Sequence, residues 1–258
     1  MSRPARTIRP GGPAERNRLA KVKRIAVKLE KFLGKPRQSA HLPPPLDMLV
    51  ATVLSQNTND KNSHQAYTSL RRRFPSWGAL EKAPLRSIRS AIRHGGMART
   101  KAPRIKKLLT KVRSLGGGRH TLSWLNGLSD DGAIERLTQL DGVGVKTASC
   151  VLLFSLGRDV FPVDTHVHRI CRRLALVPRC PNPEMTFQRM RALVPRGKAY
   201  SFHTNLIRFG RKICRSNNPS CGICPLFDEC TFEGRRRASA PATSRADHNF
   251  MLLDSIPR

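Results

Sequence analysis

Four cysteines near the C-terminal end of the chain are spaced closely enough to bind one metal centre. Cys214, Cys221, Cys224 and Cys230 follow the pattern C-x6-C-x2-C-x5-C. Four thiolates are the ligand set of structural zinc sites and of iron–sulfur clusters. Zinc sites more often contain two C-x2-C pairs, and here only one such pair occurs. The spacing therefore predicts a metal site and leaves zinc and a [4Fe–4S] cluster open.

A glycine-containing turn is the second feature that indicates chemistry. The segment AIERLTQLDGVGVKTASCVLLFSLG predicts an amphipathic helix, a tight turn at Gly142, Val143 and Gly144, and a second apolar helix. Glycines in such a turn permit positive φ and bring bare backbone amides close to a partner. Amides that open a helix hold a phosphate without reading base sequence. This pattern is typical of a helix-hairpin-helix DNA-binding motif.

Lys146 lies in the predicted first turn of the second helix, where the helix dipole disfavours a cation. An uncharged amine is the better nucleophile, although a lysine here also suits a plain phosphate contact. Asp164 follows eighteen positions later, in FPVDTHVHRICRRL, where an acid opens another helix. Such an aspartate is either a helix N-cap or an acidic partner for the lysine.

LDGVGVKTA followed by VDTHVHR and then by the four-cysteine loop resembles the endonuclease III family of DNA glycosylases. The resemblance covers about residues 17–233. It implies an all-α, two-lobed helix-hairpin-helix fold, with a six-helix barrel at 38–158 and an iron–sulfur lobe made of 17–37 plus 159–233. It also implies that the four cysteines hold a structural [4Fe–4S] cluster, and that DNA lies between the lobes.

The resemblance further implies base excision on double-stranded DNA that contains damaged bases or abasic sites. Lys146 would attack the sugar at C1′ while Asp164 assists, and a Schiff base followed by β-elimination would cut the strand. Oxidised pyrimidines are the expected lesions. Two alternatives are a monofunctional glycosylase specific for mismatched uracil or thymine, and a non-catalytic helix-hairpin-helix DNA binder.

Three residues are predicted to touch DNA by their alignment with the family. The family's gap-filling glutamine lies in a stretch like S-A-Q-A-T-D, whereas this chain has SQNTND, out of register by one position. Gln56 is preferred over Asn57 for this role, and both residues also suit capping of the next helix. Met97 matches the family's leucine wedge, which parts stacked bases, but a packed surface methionine fits equally.

The composition agrees with a nucleic-acid partner. Lys and Arg number 48 against 17 Asp and Glu, a formal net charge of +31, which favours DNA first and an anionic membrane second. No apolar run reaches the roughly 18 residues of a membrane span. The first twelve residues, MSRPARTIRPGG, lack the apolar core of a secretory signal peptide. We expect an intracellular monomer of the cytoplasm or nucleoid, with organelle targeting left open. Residues 1–16 and 234–258 are predicted to be disordered basic tails.

Apolar residues recur at helical spacing through the rest of the chain. The segment PPPLDMLVATVLSQ is predicted to be a buried central helix, and Val151 to Leu156 belong to another. One further helix is expected to end at Gly34, and others are expected at about 60–73, 84–93, 101–115 and 130–139.

Overall fold

The structure is a computed structural model that describes residues 12–235, and it contains no β-strand in that range. The all-α prediction is therefore confirmed. No helix among the described residues has the length and apolar character that crossing a membrane requires. The α-helices are α1 (Pro13–Leu33), α2 (Pro45–Ser55), α3 (Asp60–Arg73), α4 (Trp77–Lys82), α5 (Leu85–Ala91), α6 (Ala98–Leu115), α7 (Asp130–Thr138), α8 (Val145–Leu156), α9 (Thr165–Arg173), α10 (Pro183–Met190) and α11 (Ala199–Lys212).

The described chain divides into two compact units. Residues 39–160 form the first, which we call the hairpin unit, and residues 12–38 with 161–235 form the second, the cysteine unit. Helix α1 begins at Pro13, so the tail predicted for 1–16 is too long at its inner end. The reason is that proline suits the first position of a helix, where its missing N–H is not needed. Residues 1–11 and 236–258 of the predicted tails lie outside the described residues.

In the hairpin unit, helix α2 forms the core. Every residue from Leu46 to Leu54 is buried, and the helix packs against α8 and α3. Helix α8 is buried from Thr147 to Ser155 and also packs against α7. The two segments that were predicted to be buried helices are buried helices, and the structure adds that they pack against each other.

Several helix ends in the hairpin unit differ from the sequence-based boundaries. Helix α4 was not predicted, and it begins where the Ser76 hydroxyl accepts a hydrogen bond from the Ala79 amide at 3.1 Å. Helix α3 begins at Asp60, but the capping side chain is Asn59, which accepts from the Asn62 amide at 2.8 Å. Helix α6 begins three residues before position 101, and Pro103 lies inside it. The starts of α3 and α4 depend on side-chain capping, which apolar periodicity does not report.

In the cysteine unit, α11 packs against α1 and α9, and α9 also packs against α10. The Glu30 carboxylate on α1 accepts hydrogen bonds from Lys198 at 3.0 Å and from Ser201 at 2.8 Å. These contacts hold α1 against α11. The segment that contains the four clustered cysteines follows α11 directly.

Candidate active site and cysteine loop

Helices α7 and α8 are joined by a tight turn, which forms the helical hairpin that the sequence predicted. The Val143 amide donates to the Leu140 carbonyl at 3.0 Å, and Gly142 has a φ of +76°. A Cβ atom at Gly142 would collide with the side chain of Arg104, so both conformation and space require glycine here. Gly144 does not use the positive φ that glycine permits, because it is extended at φ −93° and forms the N-cap of α8.

The amides that open α8 are the hairpin's free hydrogen-bond donors. Within residues 39–160, the amides of Gly144, Val145 and Lys146 have no acceptor, as is normal for the first turn of a helix. Gly144 is exposed and adds no side chain that would block an approaching anion. The prediction that Val143 contacts DNA needs correction. Its side chain is only 5% exposed, and its amide already donates to a carbonyl inside the turn, so neither group is available to DNA.

Lys146 lies in the first turn of α8 and is half-buried. Among the described residues of the hairpin unit, no group accepts a hydrogen bond from its amino group. Its neighbour Thr147 is buried and accepts a weak hydrogen bond from Gln56 at 3.4 Å. The amine is therefore accessible and uncommitted within its unit, which is the condition for a nucleophile.

Asp164 caps helix α9 in the cysteine unit. One of its carboxylate oxygens accepts from the Val167 amide at 2.8 Å, which confirms the N-cap alternative. The residue is half-buried, so the carboxylate is not sealed inside the unit. Burial lowers the pKa of the adjacent His166, and its Nδ1 lies 3.1 Å from Nη2 of Arg169. One oxygen of Asp164 thus fixes the start of α9, and the catalytic role of this carboxylate stays a prediction.

The four clustered cysteines line one cavity, together with residues that include Ile213 and Phe227. Arg173, in the last turn of α9, donates to Sγ of Cys214 at 3.3 Å. The same guanidinium donates to the carbonyls of Arg215 at 2.7 Å and Ser216 at 2.9 Å. The cysteine loop is therefore held to α9 by a side chain that also touches one of the sulfurs.

The chemistry of these four thiols fits a metal centre. Burial, together with the charges of Cys214, Cys230 and Cys221, raises the pKa of Cys224 to about 12. Thiolates crowded in this way need a cationic centre to hold them deprotonated. Among residues 12–235, no group of three or more His, Cys, Asp or Glu side chains is arranged to hold a metal ion. A four-iron cluster is wider than a single ion, so the cavity that the four cysteines share is the relevant evidence for a cluster site. The assignment of these cysteines as its ligands stays a prediction.

The chain matches the family model for HhH-GPD superfamily base excision DNA repair proteins over residues 50–196. It is 34% identical to endonuclease III of Thermotoga maritima over 203 residues, which cover 79% of this chain and 90% of that protein. The chain belongs to the HhH-GPD superfamily. This membership makes it a base excision repair enzyme of the DNA glycosylase class.

Other HhH-GPD proteins are similar to parts or most of the chain. It is 40% identical over 169 residues to an Arabidopsis thaliana protein classed as a candidate DNA glycosylase, covering 66% of this chain and 57% of that protein. It is 32% identical to the Arabidopsis DNA glycosylase/AP lyase ROS1, but spans only 13% of it. The chain also resembles two endonuclease III–DNA structures, one of a non-covalent complex and one of a trapped covalent intermediate. Each aligns with a TM-score of 0.70 at 26% identity, covering 83% of this chain and 95% of the other.

In this HhH-GPD chain, Gln56 and Asn57, the two candidates for filling a gap in the DNA, differ in whether their side chains are hydrogen-bonded to protein. Nε2 of Gln56 donates to the Gly142 carbonyl at 3.1 Å, and its Oε1 accepts from Arg104 at 3.2 Å. Asn57 is exposed, adopts a left-handed conformation with φ +52°, and has no side-chain partner within the hairpin unit. The Gln56 amide is thus bonded to protein and the Asn57 side chain is not, and which of the two fills a gap in the DNA stays a prediction.

Met97 lies at the start of α6 with a left-handed φ of +50° and a side chain that is 51% exposed. Met97 is therefore not fully packed, and the choice between a wedge and a surface methionine stays a prediction. A residue other than glycine, asparagine or aspartate rarely adopts a positive φ unless its surroundings impose that conformation. An exposed apolar side chain held in this way agrees with the predicted wedge, which stays a prediction.

Sequence reasoning missed the residues that hold these loops in place. Lys101 is buried and donates to two carbonyls that precede exposed loops, and Arg104 is linked to the hairpin turn through Gln56. Glu229, inside the cysteine loop, accepts from both Arg24 and Lys28 of α1 at 3.2 Å, and these bonds lower the pKa of its carboxyl. A lysine at an otherwise apolar position of an amphipathic helix was the available signal for Lys101. The other contacts join distant parts of the chain and leave no local pattern.

Proposed function

We propose that this protein is a bifunctional DNA glycosylase that binds double-stranded DNA with damaged bases or abasic sites and also cuts the strand. The observation that supports this most directly is the half-exposed, uncommitted amino group of Lys146 beside the free amides of α8. The amides hold a backbone phosphate, and the amine is then presented to the adjacent sugar. Relatives named endonuclease III and DNA glycosylase/AP lyase support the same reaction.

The proposed reaction begins when the damaged nucleotide is flipped out of the duplex. The Lys146 amine attacks C1′, the bond between C1′ and the base breaks, and the base leaves with a proton. Asp164 takes the proton of the attacking amine or stabilises positive charge on the sugar. The sugar opens to a Schiff base with Lys146, and loss of a C2′ proton expels the 3′ phosphate by β-elimination. Water then releases the enzyme.

Cys214, Cys221, Cys224 and Cys230 are proposed to hold a [4Fe–4S] cluster whose role is to fasten the C-terminal loop. The cluster supplies a rigid cationic centre for the four thiolates when it is bound. Arg173 and Glu229 attach this loop to α9 and α1 respectively. The basic residues near the loop, Arg211, Lys212 and Arg215, then present positive charge to DNA phosphates.

A panel of duplexes tests the proposal and its lesion preference. Base release and strand nicking are scored separately on duplexes with thymine glycol, uracil, mismatched thymine and an abasic site. We expect release and nicking on the oxidised pyrimidine, and nicking alone on the abasic site. Base release without nicking would favour the monofunctional alternative. Binding with neither reaction would favour the non-catalytic one.

Asp164→Asn separates the catalytic role of this residue from its capping role. Asparagine caps a helix as well as aspartate does, so the free energy of unfolding is expected to change by less than about 0.5 kcal/mol. The negative charge is lost, and single-turnover cleavage is expected to fall by about 10²-fold or more. Asp164→Ala, which also removes the cap, should cost a further ~1 kcal/mol of stability. Full activity in the asparagine variant would leave Asp164 with a structural role only.

A second basic feature of the hairpin unit is a cleft at the ends of α3 and α5. It is lined by Arg72, Arg73, Arg93 and His94 with two serine hydroxyls, and no acidic residue lines it. Guanidinium groups and hydroxyls together suit a phosphate oxygen. The proposed function therefore includes a contact between this cleft and the DNA backbone.

Salt dependence of DNA binding measures this contact. Arg73→Ala combined with Arg93→Ala should reduce the slope of log Kobs against log[salt] by about 1.8, because each lost phosphate contact lowers it by ~0.9. The matched control is Arg86→Ala combined with Arg119→Ala, two exposed arginines of the same unit that do not line the cleft. Equal slopes for the two double variants would indicate that only total charge matters.

A further inference from the structure

Lys101 is a buried lysine in the hairpin unit without an acidic partner in that unit. Only 2% of the residue is exposed, and its amino group donates to the carbonyls of Leu54 at 2.6 Å and Gly95 at 2.9 Å. Burial lowers its pKa. Burying an amino group of this kind is unfavourable, and an apolar side chain of similar length would pack at lower cost. The two carbonyl contacts therefore point to a role beyond filling space.

The two carbonyls that Lys101 binds precede two exposed loops. Leu54 is close to the end of α2, three residues before Asn57, and Gly95 is two residues before Met97. Asn57 and Met97 are the two residues of the described hairpin unit other than glycine with positive φ, at +52° and +50°. One amino group thus links the loops that present both of them.

Arg104 extends the same link from the next turn of α6. Its Nη1 donates to Oε1 of Gln56 at 3.2 Å, and Nε2 of Gln56 donates to the Gly142 carbonyl in the hairpin turn at 3.1 Å. The side chain of Arg104 also passes so close to Gly142 that a Cβ atom there would collide with it. Residues three apart lie on one face of a helix, so Lys101 and Arg104 act from the same side of α6.

We infer that Lys101, Arg104 and Gln56 form a brace that fixes the hairpin turn, the Asn57 loop and the Met97 loop as one preformed DNA-binding surface. This inference rests on the proposed function, because it assumes that the three loops engage DNA together. Loops that are already fixed lose little conformational entropy when they bind. DNA that contacts all three loops is therefore bound more tightly. Lys101 and Gln56 are thus positioning residues for recognition of an extruded nucleotide.

The brace predicts a specific defect on damaged DNA. The probe is a duplex with a tetrahydrofuran abasic analogue and 2-aminopurine in the opposite strand, whose fluorescence rises when neighbouring side chains unstack it. We compare the full-length chain with Lys101→Met, Gln56→Ala and Gln56→Glu. Gln56→Glu keeps an acceptor for Arg104 but replaces the donor to the Gly142 carbonyl. We expect about tenfold weaker binding to the abasic duplex, a reduced fluorescence rise, and less than about twofold change on undamaged DNA.

Lys106→Met is the matched control. Lys106 lies on the same helix and donates to the Ala83 carbonyl at 2.8 Å, so the substitution removes the same kind of bond away from the three loops. Wild-type binding and fluorescence in a folded Gln56→Glu protein would overturn the brace, as would an equal defect in Lys106→Met. Gln56→Glu keeps the test decisive if Lys101→Met does not fold. A wild-type chain that does not prefer the abasic duplex would instead contradict the proposed function, and the role of the brace with it.

Discussion

Replacing Lys146 with glutamine is expected to abolish covalent trapping on abasic DNA and to lower strand cleavage by roughly 10⁴-fold. Glutamine has a similar length and remains compatible with the first turn of α8, but its amide nitrogen is not a nucleophile. The amides of Gly144 and Val145 are untouched, so DNA binding should fall only by the loss of one positive charge. Borohydride reduction of the Schiff base, followed by gel analysis of the adduct, measures the effect directly.

The control for this experiment is Lys107→Gln, which removes the same charge from an exposed position on α6. It should trap abasic DNA as the wild type does. An adduct that persists in Lys146→Gln would mean that another amine is the nucleophile. Release of a damaged base by Lys146→Gln without strand cleavage would indicate that water, and not the lysine, attacks the sugar in the first step.

Replacing Cys224 with serine is expected to remove the metal centre and to destabilise the cysteine unit. Burial raises the pKa of the Cys224 thiol, and the charges of the other three cysteines raise it as well, so the four thiols interact electrostatically. Structural metal centres contribute on the order of 10 kcal/mol to small folded units, and losing part of this should lower Tm by more than about 10 °C. Iron, acid-labile sulfide and zinc content of the purified protein, measured with Tm, test the assignment.

Cys180→Ala is the matched control, because Cys180 is buried in the same unit and does not line the cavity. It should retain the brown colour and the iron content of the wild type. Zinc in place of iron and sulfide would correct the identity of the centre while leaving its ligands intact. Unchanged metal content in Cys224→Ser would remove this residue from the ligand set.

Much of the candidate site follows from relations between residues that are close in the chain. The spacing of the four cysteines restricts them to one loop, and they line a single cavity. The turn at Gly142 lies between two helices, and its φ of +76° is the conformation for which glycine is suited. Asp164 precedes a helix and caps it. Such features can be predicted because the backbone geometry of a few consecutive residues decides them.

The sequence by itself determined the all-α class, the hairpin, the capping aspartate and the clustered cysteines. Tertiary structure alone decided that Gln56 is bonded to protein while the Asn57 side chain has no partner among the described residues of its unit, and that Lys101 and Arg104 join three loops. The contact between Gln56 and Gly142 spans 86 positions, and that between Lys101 and Leu54 spans 47. Partners so far apart meet only after α2, α6 and α8 have packed, and packing leaves no periodic pattern in the chain from which they could be read.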